Sequence, residues 1–330
     1  HYLQGVVSYH HPGRAGLLAQ LDLVSGGNTM TLATNSAWKV HPDPAWDNTA
    51  SRMSRFHLEV SDRVDLRLQI RGWSDQGFDD SSWPSANTLR RNIGWPSPQV
   101  NARPHSLTPA WTSLVPRDVP YLAETKEKAL NLIEGAGIAW NETTSAEFTR
   151  AGEAPSKLES LTLSNGIDKR VAQQFNEYRK GEGPLVVPGL DTEETSFLLF
   201  DFGRVLNGRP TLDIEGPAGT VVDVMCAPYI LNNRFTSQIV DSELRDRVVL
   251  SGRRDAWEAR YFKPTRYLGV AIHAADGPVY IRNAGVRQVE YPFVEKGSLH
   301  TPENPWFEKC WQASGETIRV CTTDAYTDNY

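Results

Sequence analysis

Most of this chain alternates apolar and polar residues, which is the pattern of half-buried antiparallel strands. In its first part, the alternation predicts strands at LLAQLDLV, TMTLAT, FHLEV and VDLRLQI, and Gly26-Gly27-Asn28 predicts a hairpin turn between the first two. A second set of strands follows from Phe197 at a spacing of roughly 8–12 residues, with Gly or Pro between its members. These are FLLFDFGR, TLDIEG, TVVDVMCAPY, DRVVLSG, AWEARYF, RYLGVAIHA and VYIRNAGVRQVEY. The sequence therefore predicts a mainly β fold with two antiparallel, jelly-roll-like β-sandwiches.

The end of the chain predicts a helix. Asn304 is a favourable N-cap, and Pro305 suits the first helical position, where its missing N–H group would be unpaired anyway. Apolar and small residues then recur at steps of three and four, which predicts one buried stripe. The stripe consists of Trp306, Phe307, Cys310, Trp311, Ser314, Thr317, Ile318 and Cys321. A helix of this kind normally packs on partner helices, so the chain reads as the front part of something larger.

These patterns divide the chain into four regions. Residues 1–105 are predicted to form the first sandwich, 186–295 the second, and 300–330 the start of a helical domain. Residues 106–185 form a connecting region that is partly helical, with short helical patterns at KEKALNLIEGAG (126–137) and KRVAQQFNEYRK (169–180).

Charge and composition exclude several classes of function. The net charge is −6 with acidic and basic residues interspersed, so no basic face indicates a nucleic-acid partner. No apolar run approaches the roughly 20 residues of a membrane-spanning helix, so we expect no membrane partner. The three cysteines, Cys226, Cys310 and Cys321, lack metal-site spacing, and the last two lie on the helical stripe, so we predict core positions for those two. We expect neither a metal nor a cofactor, and the compartment stays open, with an extracellular location favoured over a cytoplasmic one.

Several strings carry a family resemblance. The first is WSDQGFDDSSW (73–83), in which Gly77 predicts a turn, the Asp and Ser side chains cap N–H groups, and Trp73, Phe78 and Trp83 anchor the loop. The others, in chain order, are SDRVDLRLQIRGW, WTSLVPRDVPYL, FDFGRVLNGRPTLDIEGPAGTVVDV, FKPTRYLGVAI and the helix that ends in DAYTDNY. Together they resemble glycoside hydrolase family 78, the inverting α-L-rhamnosidases with an (α/α)6-barrel catalytic domain.

The resemblance implies a fold and an activity. The β-sandwiches come first in that family, so residues 300–330 would be the first helix of the barrel. The implied reaction is the inverting, exo-acting hydrolysis of terminal α-L-rhamnosyl residues, with a rhamnose-bearing carbohydrate as substrate. The catalytic acid and base are unknown and are expected beyond Tyr330, in a remaining catalytic segment of the same protein. Two alternatives stay open: a non-catalytic carbohydrate-binding or scaffold module, and a barrel glycosidase for another sugar.

The resemblance implies one substrate-binding residue in this chain, Asp328, which matches an aspartate that contacts rhamnose hydroxyls in the family. The sequence departs from the family at the next two positions, where Asn329-Tyr330 replaces the common Cys-Pro. An ionised carboxylate accepts hydrogen bonds from vicinal hydroxyls, and a neighbouring Tyr offers a stacking face for a sugar ring. Asp324 matches no functional position, and both aspartates have the alternative of simply capping or solvating a helix end.

Trp46-Asp47-Asn48 is a second place where a sugar could bind. An aromatic residue and two oxygen ligands meet there in a predicted loop, and some family members carry a calcium-dependent rhamnose site on such a sandwich. Calcium needs six to eight oxygen ligands, which this loop does not supply alone. We therefore expect a plain structural loop that binds neither calcium nor sugar.

Overall fold

The computed structural model describes residues 16–47, 60–87, 116–138, 161–163, 166–167, 169–191, 195–239, 242–273, 275–324 and 326. Its strands are β1 (Gln20–Ser25), β2 (Asn28–Ala33), β3 (Arg63–Asp65), β4 (Ala123–Lys128), β5 (Asn131–Ile138), β6 (Leu161–Thr162), β7 (Leu185–Val187), β8 (Thr195–Glu215), β9 (Val221–Ala227), β10 (Arg234–Phe235), β11 (Gln238–Ile239), β12 (Ser242–Glu243), β13 (Arg245–Val249), β14 (Arg254–Glu258), β15 (Lys263–His273) and β16 (Val279–Glu290). The helical elements are a 3₁₀ turn (Leu66–Leu68), α1 (Lys169–Lys180) and α2 (Pro305–Val320).

Contacts divide the described residues into two compact units. The first contains residues 16–44, 70–87 and 116–117, and the second contains 45–47, 60–69 and every described residue from Asp118 onward. The predicted first sandwich, 1–105, thus includes residues 60–69 that by contacts belong to the second unit. The reason is that β3 pairs in parallel with β13.

In the first unit, β1 and β2 form the predicted hairpin. Ser25 pairs with Asn28, and Gly26 and Gly27 both have positive φ, as a two-residue type I′ turn requires. Both strands are exposed along their whole length, so the half-burial expected from their alternation is absent among the described residues. Most of the predicted strand FHLEV lies outside the described residues.

The loop WSDQGFDDSSW is held by its own side chains. Gly77 has a φ of 86°, and the Asp79 carboxylate accepts a hydrogen bond from the Ser81 N–H group at 3.0 Å. Phe78 packs edge-on against Trp83, with ring centroids 5.4 Å apart. Trp73 is 62% exposed, so the prediction that it anchors the loop is wrong.

The second unit is built around β8, a single strand of 21 residues. Its first half pairs with β5 and with most of β15, and its second half pairs with β14 and β16. Gly203 (φ 77°) lies between the halves, and the Asp201 carboxylate accepts a hydrogen bond from its N–H group. The sequence pattern predicted two strands here, but they form one, and β15 pairs on both sides of Gly203, with Tyr267 opposite Asp201 and Thr265 opposite Leu206.

Ten strands form one folded sheet because β8 belongs to both of its layers. One layer runs β3-β13-β9-β15-β8-β5, and the other runs β14-β8-β16, with β4 and β7 along the far edge of β16. The main core lies between the layers and includes Phe200, Ile214, Val270 and Ile281. Alternate residues of the first layer point to its other face, where a smaller core forms around Phe197. The mainly β, antiparallel sandwich prediction is confirmed.

The connecting region contains one of the two predicted helices. KRVAQQFNEYRK is α1, which buries Phe175 and Tyr178 on one face. KEKALNLIEGAG is not a helix: it contains the end of β4 and most of β5. Two glycines, Gly135 and Gly137, disfavour a helix there, and β5 pairs along the first half of β8 instead.

The predicted C-terminal helix is α2, and its cap is confirmed, because the Asn304 side chain accepts a hydrogen bond from the Trp306 N–H group. The prediction that its stripe is buried is wrong for this chain, since no residue of α2 is fully buried. Cys321 is exposed and Cys310 half-buried, so they are not the core residues that the spacing predicted. In the described part of the chain, no helix is both long and apolar enough to cross a membrane.

Candidate functional site

The end of α2 is the region to which the family resemblance assigns substrate binding. Thr322 closes the helix by donating a hydroxyl hydrogen bond to the Ile318 carbonyl at 2.6 Å, and it forms a β-bridge with Tyr326. Asp324 is exposed in the turn that follows the helix. Asp328 lies outside the described residues, so its predicted role stays a prediction.

The linker from β16 to α2, residues 291–304, runs alongside the helix. Polar contacts join this linker to the helix and to the residue that closes it: Tyr291 contacts Thr322, Glu295 contacts Arg319, and both His300 and Thr301 contact Glu308. The helix is therefore held to the second unit although its apolar side chains are exposed. The large exposed side chains are Trp306, Phe307, Trp311 and Ile318, which are 66%, 54%, 51% and 49% exposed.

The Trp46-Asp47-Asn48 loop is occupied by protein contacts. The Arg260 guanidinium lies 3.4 Å from the Trp46 ring centroid, and Trp46 also packs against the main core. Asp47 pairs with Arg63 at 3.5 Å, and Asn48 lies outside the described residues. Since Arg260 covers one face of the indole, that face is not free to stack on a sugar ring. Among the described residues, no group of three or more acidic, His or Cys side chains has the geometry to hold a metal.

A buried ionic cluster on the first layer was missed by the sequence analysis. Asp223 is fully buried, and its carboxylate accepts hydrogen bonds from Arg247 Nε and Nη2 at 2.7 and 2.8 Å. His273 Nε2 lies 3.1 Å from Asp223 Oδ2, and Arg245 Nη1 lies 3.9 Å from the same oxygen. Burial alone would raise the pKa of Asp223, but the hydrogen bonds from Arg247 and His273 outweigh it and hold that pKa well below its usual range.

The cluster contains a Thr–His–Asp relay, because His273 Nδ1 also lies 2.9 Å from the Thr195 hydroxyl. Such an arrangement can activate a nucleophile only where substrate reaches the hydroxyl. Thr195 is only 4% exposed, and the carboxylate of Asp223 is already shared with two arginines. The relay therefore fastens β8, β9, β13 and β15 together and offers no reactive group. The sequence signal for it was a charged residue inside the apolar strand VVDVMCA.

Farther along the same sheet, Lys263 and Asp246 form a second buried pair. Lys263 Nζ lies 2.8 Å from Asp246 Oδ2, and neither side chain is exposed. The neighbouring Cys226 is also fully buried, and burial raises the pKa of its thiol to about 12, so the thiol stays neutral and unreactive.

Comparisons with known proteins place these features in a family. Residues 4–109 match the model of the α-L-rhamnosidase N-terminal domain, and residues 191–284 match the model of the bacterial α-L-rhamnosidase concanavalin-like domain. A comparison with curated protein sequences finds no match.

Solved structures share the fold at low sequence identity. A GH78 family rhamnosidase of Bacillus sp. GL1 has a TM-score of 0.68 at 16% identity, over 97% of this chain and 49% of that protein. An α-L-rhamnosidase from Aspergillus terreus has a TM-score of 0.56 at 17% identity, over 94% of this chain and 27% of that one. The Streptomyces avermitilis α-L-rhamnosidase, solved with L-rhamnose, has a TM-score of 0.54 at 16% identity, over 94% of this chain and 22% of its own. This chain thus spans about half or less of the length of each of these proteins. With both domain models matched in their N-to-C order, the chain belongs to the α-L-rhamnosidases of glycoside hydrolase family 78.

Proposed function

We propose that this chain is the N-terminal part of an inverting, exo-acting α-L-rhamnosidase that hydrolyses terminal α-L-rhamnosyl residues. The observation that carries the proposal is the order of the domains along the chain. The two segments that match rhamnosidase family models come first, and the capped helix α2 follows the second of them. The catalytic domain would begin at about residue 300, with α2 as the first helix of an (α/α)6 barrel.

The exposed face of α2 supports the proposal that a further segment packs on it. Trp306, Phe307, Trp311 and Ile318 are all about half exposed or more. Burying a large apolar side chain contributes roughly 1.5–3 kcal/mol, so a helical partner that covers these four would be strongly held. Monomeric proteins rarely leave such a contiguous face uncovered.

The proposed reaction needs two carboxyl groups on opposite faces of the sugar. One protonates the departing oxygen and the other activates water, at a separation of about 6.5–9.5 Å that leaves room for that water. We assign both groups to the segment that follows Tyr330. Asp328 would hold the rhamnose hydroxyls as an ionised acceptor and would transfer no proton.

The test compares the 330-residue chain with the same chain extended by its catalytic segment, using an aryl α-L-rhamnoside. We expect turnover only from the extended protein, and proton NMR of the first product should show the anomer of inverted configuration. Turnover by the 330-residue chain alone, with contaminants excluded, would sink the proposal. Turnover of another glycoside in preference to the rhamnoside would favour a barrel glycosidase for a different sugar.

A further inference from the structure

Asp62 ties the edge strand β3 to the rest of the second unit with three hydrogen bonds. Its N–H group donates to Asp246 Oδ1 at 2.8 Å, and its carbonyl accepts from the Arg247 N–H group at 2.8 Å. Its carboxylate oxygen Oδ2 accepts from the Arg260 N–H group, again at 2.8 Å. β3 itself is only three residues long, so these bonds are a large part of what holds it on the sheet edge.

Two buried carboxylates lie near one ammonium group at this point: Asp246 pairs with Lys263 directly, and Lys263 acts on Asp62 through its charge. Asp62 is 3% exposed, while Asp246 and Lys263 are fully buried. Apart from their ion pair, Lys263 Nζ and Asp246 Oδ2 have no hydrogen-bond partner within the described residues. With both carboxylates ionised the group carries one uncompensated negative charge, which is costly where water is excluded.

The other charged or titratable groups facing this cluster do not remove the imbalance. Arg260, on the turn between β14 and β15, favours ionised Asp62, but its guanidinium lies over Trp46. Glu243 of β12 is a further acidic group that interacts electrostatically with Asp246, so it supplies no positive charge. The Cys226 thiol of β9, near Lys263, is neutral.

We propose that Asp62, Asp246 and Lys263 form a pH-sensitive latch: a proton on the carboxylate pair holds β3 on the sheet edge, and full ionisation loosens it.

The direction of the effect follows from where Asp62 titrates. Burial and the adjacent Asp246 carboxylate raise the pKa of Asp62 to about 6. A carboxyl whose folded-state pKa is raised contributes stability that is fully present below its ordinary pKa and is lost as the pH rises through about 6. The loss falls first on β3, which is short and lies at the edge.

The latched segment also carries Trp46, which forms a β-bridge with Val64 of β3. In sequence, residues of the first unit lie on both sides of the segment, up to Pro44 and again from Ile70. The chain therefore passes from the first unit to the second after Pro44 and back again before Ile70, and both passages lead directly to the residues around β3.

The experiment is native-state hydrogen exchange of the 330-residue chain at pH 5 and pH 7.5, corrected for the intrinsic pH dependence of exchange. We expect exchange in peptides covering 60–65 to speed up about tenfold at the higher pH, because about one unit of the shift of the Asp62 pKa to about 6 lies above pH 5. Peptides from the central strand β15 should change little.

Two variants of the same segment decide the cause. Asp62→Asn should abolish the pH step, while Asp65→Asn, which removes a half-buried carboxylate three residues away that pairs with Arg67, should keep it. A step that persists in Asp62→Asn, or no step in the parent chain, would overturn the latch. If Asp62→Asn fails to fold, carboxyl ¹³C NMR of the parent chain decides: a midpoint near 6 for Asp62 supports the latch, and a midpoint below about 4.5 refutes it.

Discussion

At the scale of single residues, Tyr178 of α1 supplies hydrogen bonds to the backbone of β16 beside an irregularity in its pairing. The pairing of β16 with β8 shifts register between Ile281 and Asn283. The buried Tyr178 hydroxyl reaches this point from α1, accepting a hydrogen bond from the Ala284 N–H group at 2.7 Å and donating to the Ala284 carbonyl at 3.3 Å. Burial raises the pKa of Tyr178 to about 12, so the hydroxyl remains a donor at any working pH.

Tyr178→Phe should therefore destabilise the protein by about 1–3 kcal/mol, the usual cost of leaving a buried backbone group without a partner. Urea unfolding followed by circular dichroism measures the change. Tyr229→Phe is the matched control, because Tyr229 is 50% exposed and should shift the free energy of unfolding by no more than about 0.5 kcal/mol. Equal effects of the two substitutions would contradict this role for Tyr178.

Asp328→Asn tests the proposed sugar contact in the extended enzyme. A charge-assisted hydrogen bond becomes a weaker neutral one, so kcat/KM should fall by about ten- to a hundredfold, or roughly 1.5–3 kcal/mol, while the fold is kept. Asp324→Asn is the control and should change kcat/KM little. If the two variants behave alike, the family role does not apply to Asp328.

At the scale of elements, the sequence predicted those whose pattern is local. The β1–β2 turn, α1 and the Asn304 cap depend on residues close in sequence, and all three are confirmed. The prediction failed for 126–137, where pairing with the distant β8 outweighed a weak helical pattern. The sequence pattern also could not reveal the buried ionic cluster, because Asp223 and Arg247 come together only when β9 pairs with β13.

The candidate site was predictable only through the family resemblance. Asp328 was singled out because it matches a family position, and no spacing or charge pattern in the chain separates it from Asp324. The exposure of α2 was predictable in part, because the helical stripe indicates a face that partner helices cover and no such helices were predicted in these 330 residues.

The α2 face yields a prediction for the 330-residue chain. Trp306→Gln combined with Trp311→Gln should reduce self-association at micromolar concentrations and lower the binding of a hydrophobic dye, because two large apolar side chains leave the surface. Sedimentation velocity and dye fluorescence measure the two effects. Lys309→Gln, on the same helix, should leave both unchanged. If the parent chain is monomeric and binds no dye, the exposed face of α2 does not cause self-association and the prediction is wrong.

At the scale of the whole molecule, two buried aspartates pull stability in opposite directions with pH. Asp223 has a lowered pKa, so its contribution is present above the ordinary pKa of aspartate and is lost as the pH falls through the folded-state value. Asp62 has a pKa of about 6, so its contribution is lost as the pH rises. The free energy of unfolding should therefore be greatest near pH 4, the ordinary pKa of aspartate, and should fall between there and about pH 6.

Urea unfolding at pH 2, 4 and 7.5 tests this. We expect the value at pH 4 to be the highest, with a fall of about 2–3 kcal/mol by pH 7.5 from the shift of Asp62. Asp62→Asn should flatten the limb above pH 4 and leave the acid limb unchanged. Stability that still rises from pH 4 to pH 7.5 would contradict the assignment.

The membership of β8 in both layers has a consequence for how the chain reaches this structure. Neither layer can close before β15 and β16 exist, because the two halves of β8 pair with them. The hydrogen bond between Asp62 and Arg260 spans 198 positions. Contacts so far apart in sequence make folding slow and leave unpaired edges open while it proceeds. During synthesis, the nascent second unit therefore waits, with the edge of β8 that pairs with β16 still open, until the ribosome has passed Glu290. α2 follows soon after the sandwich becomes able to form.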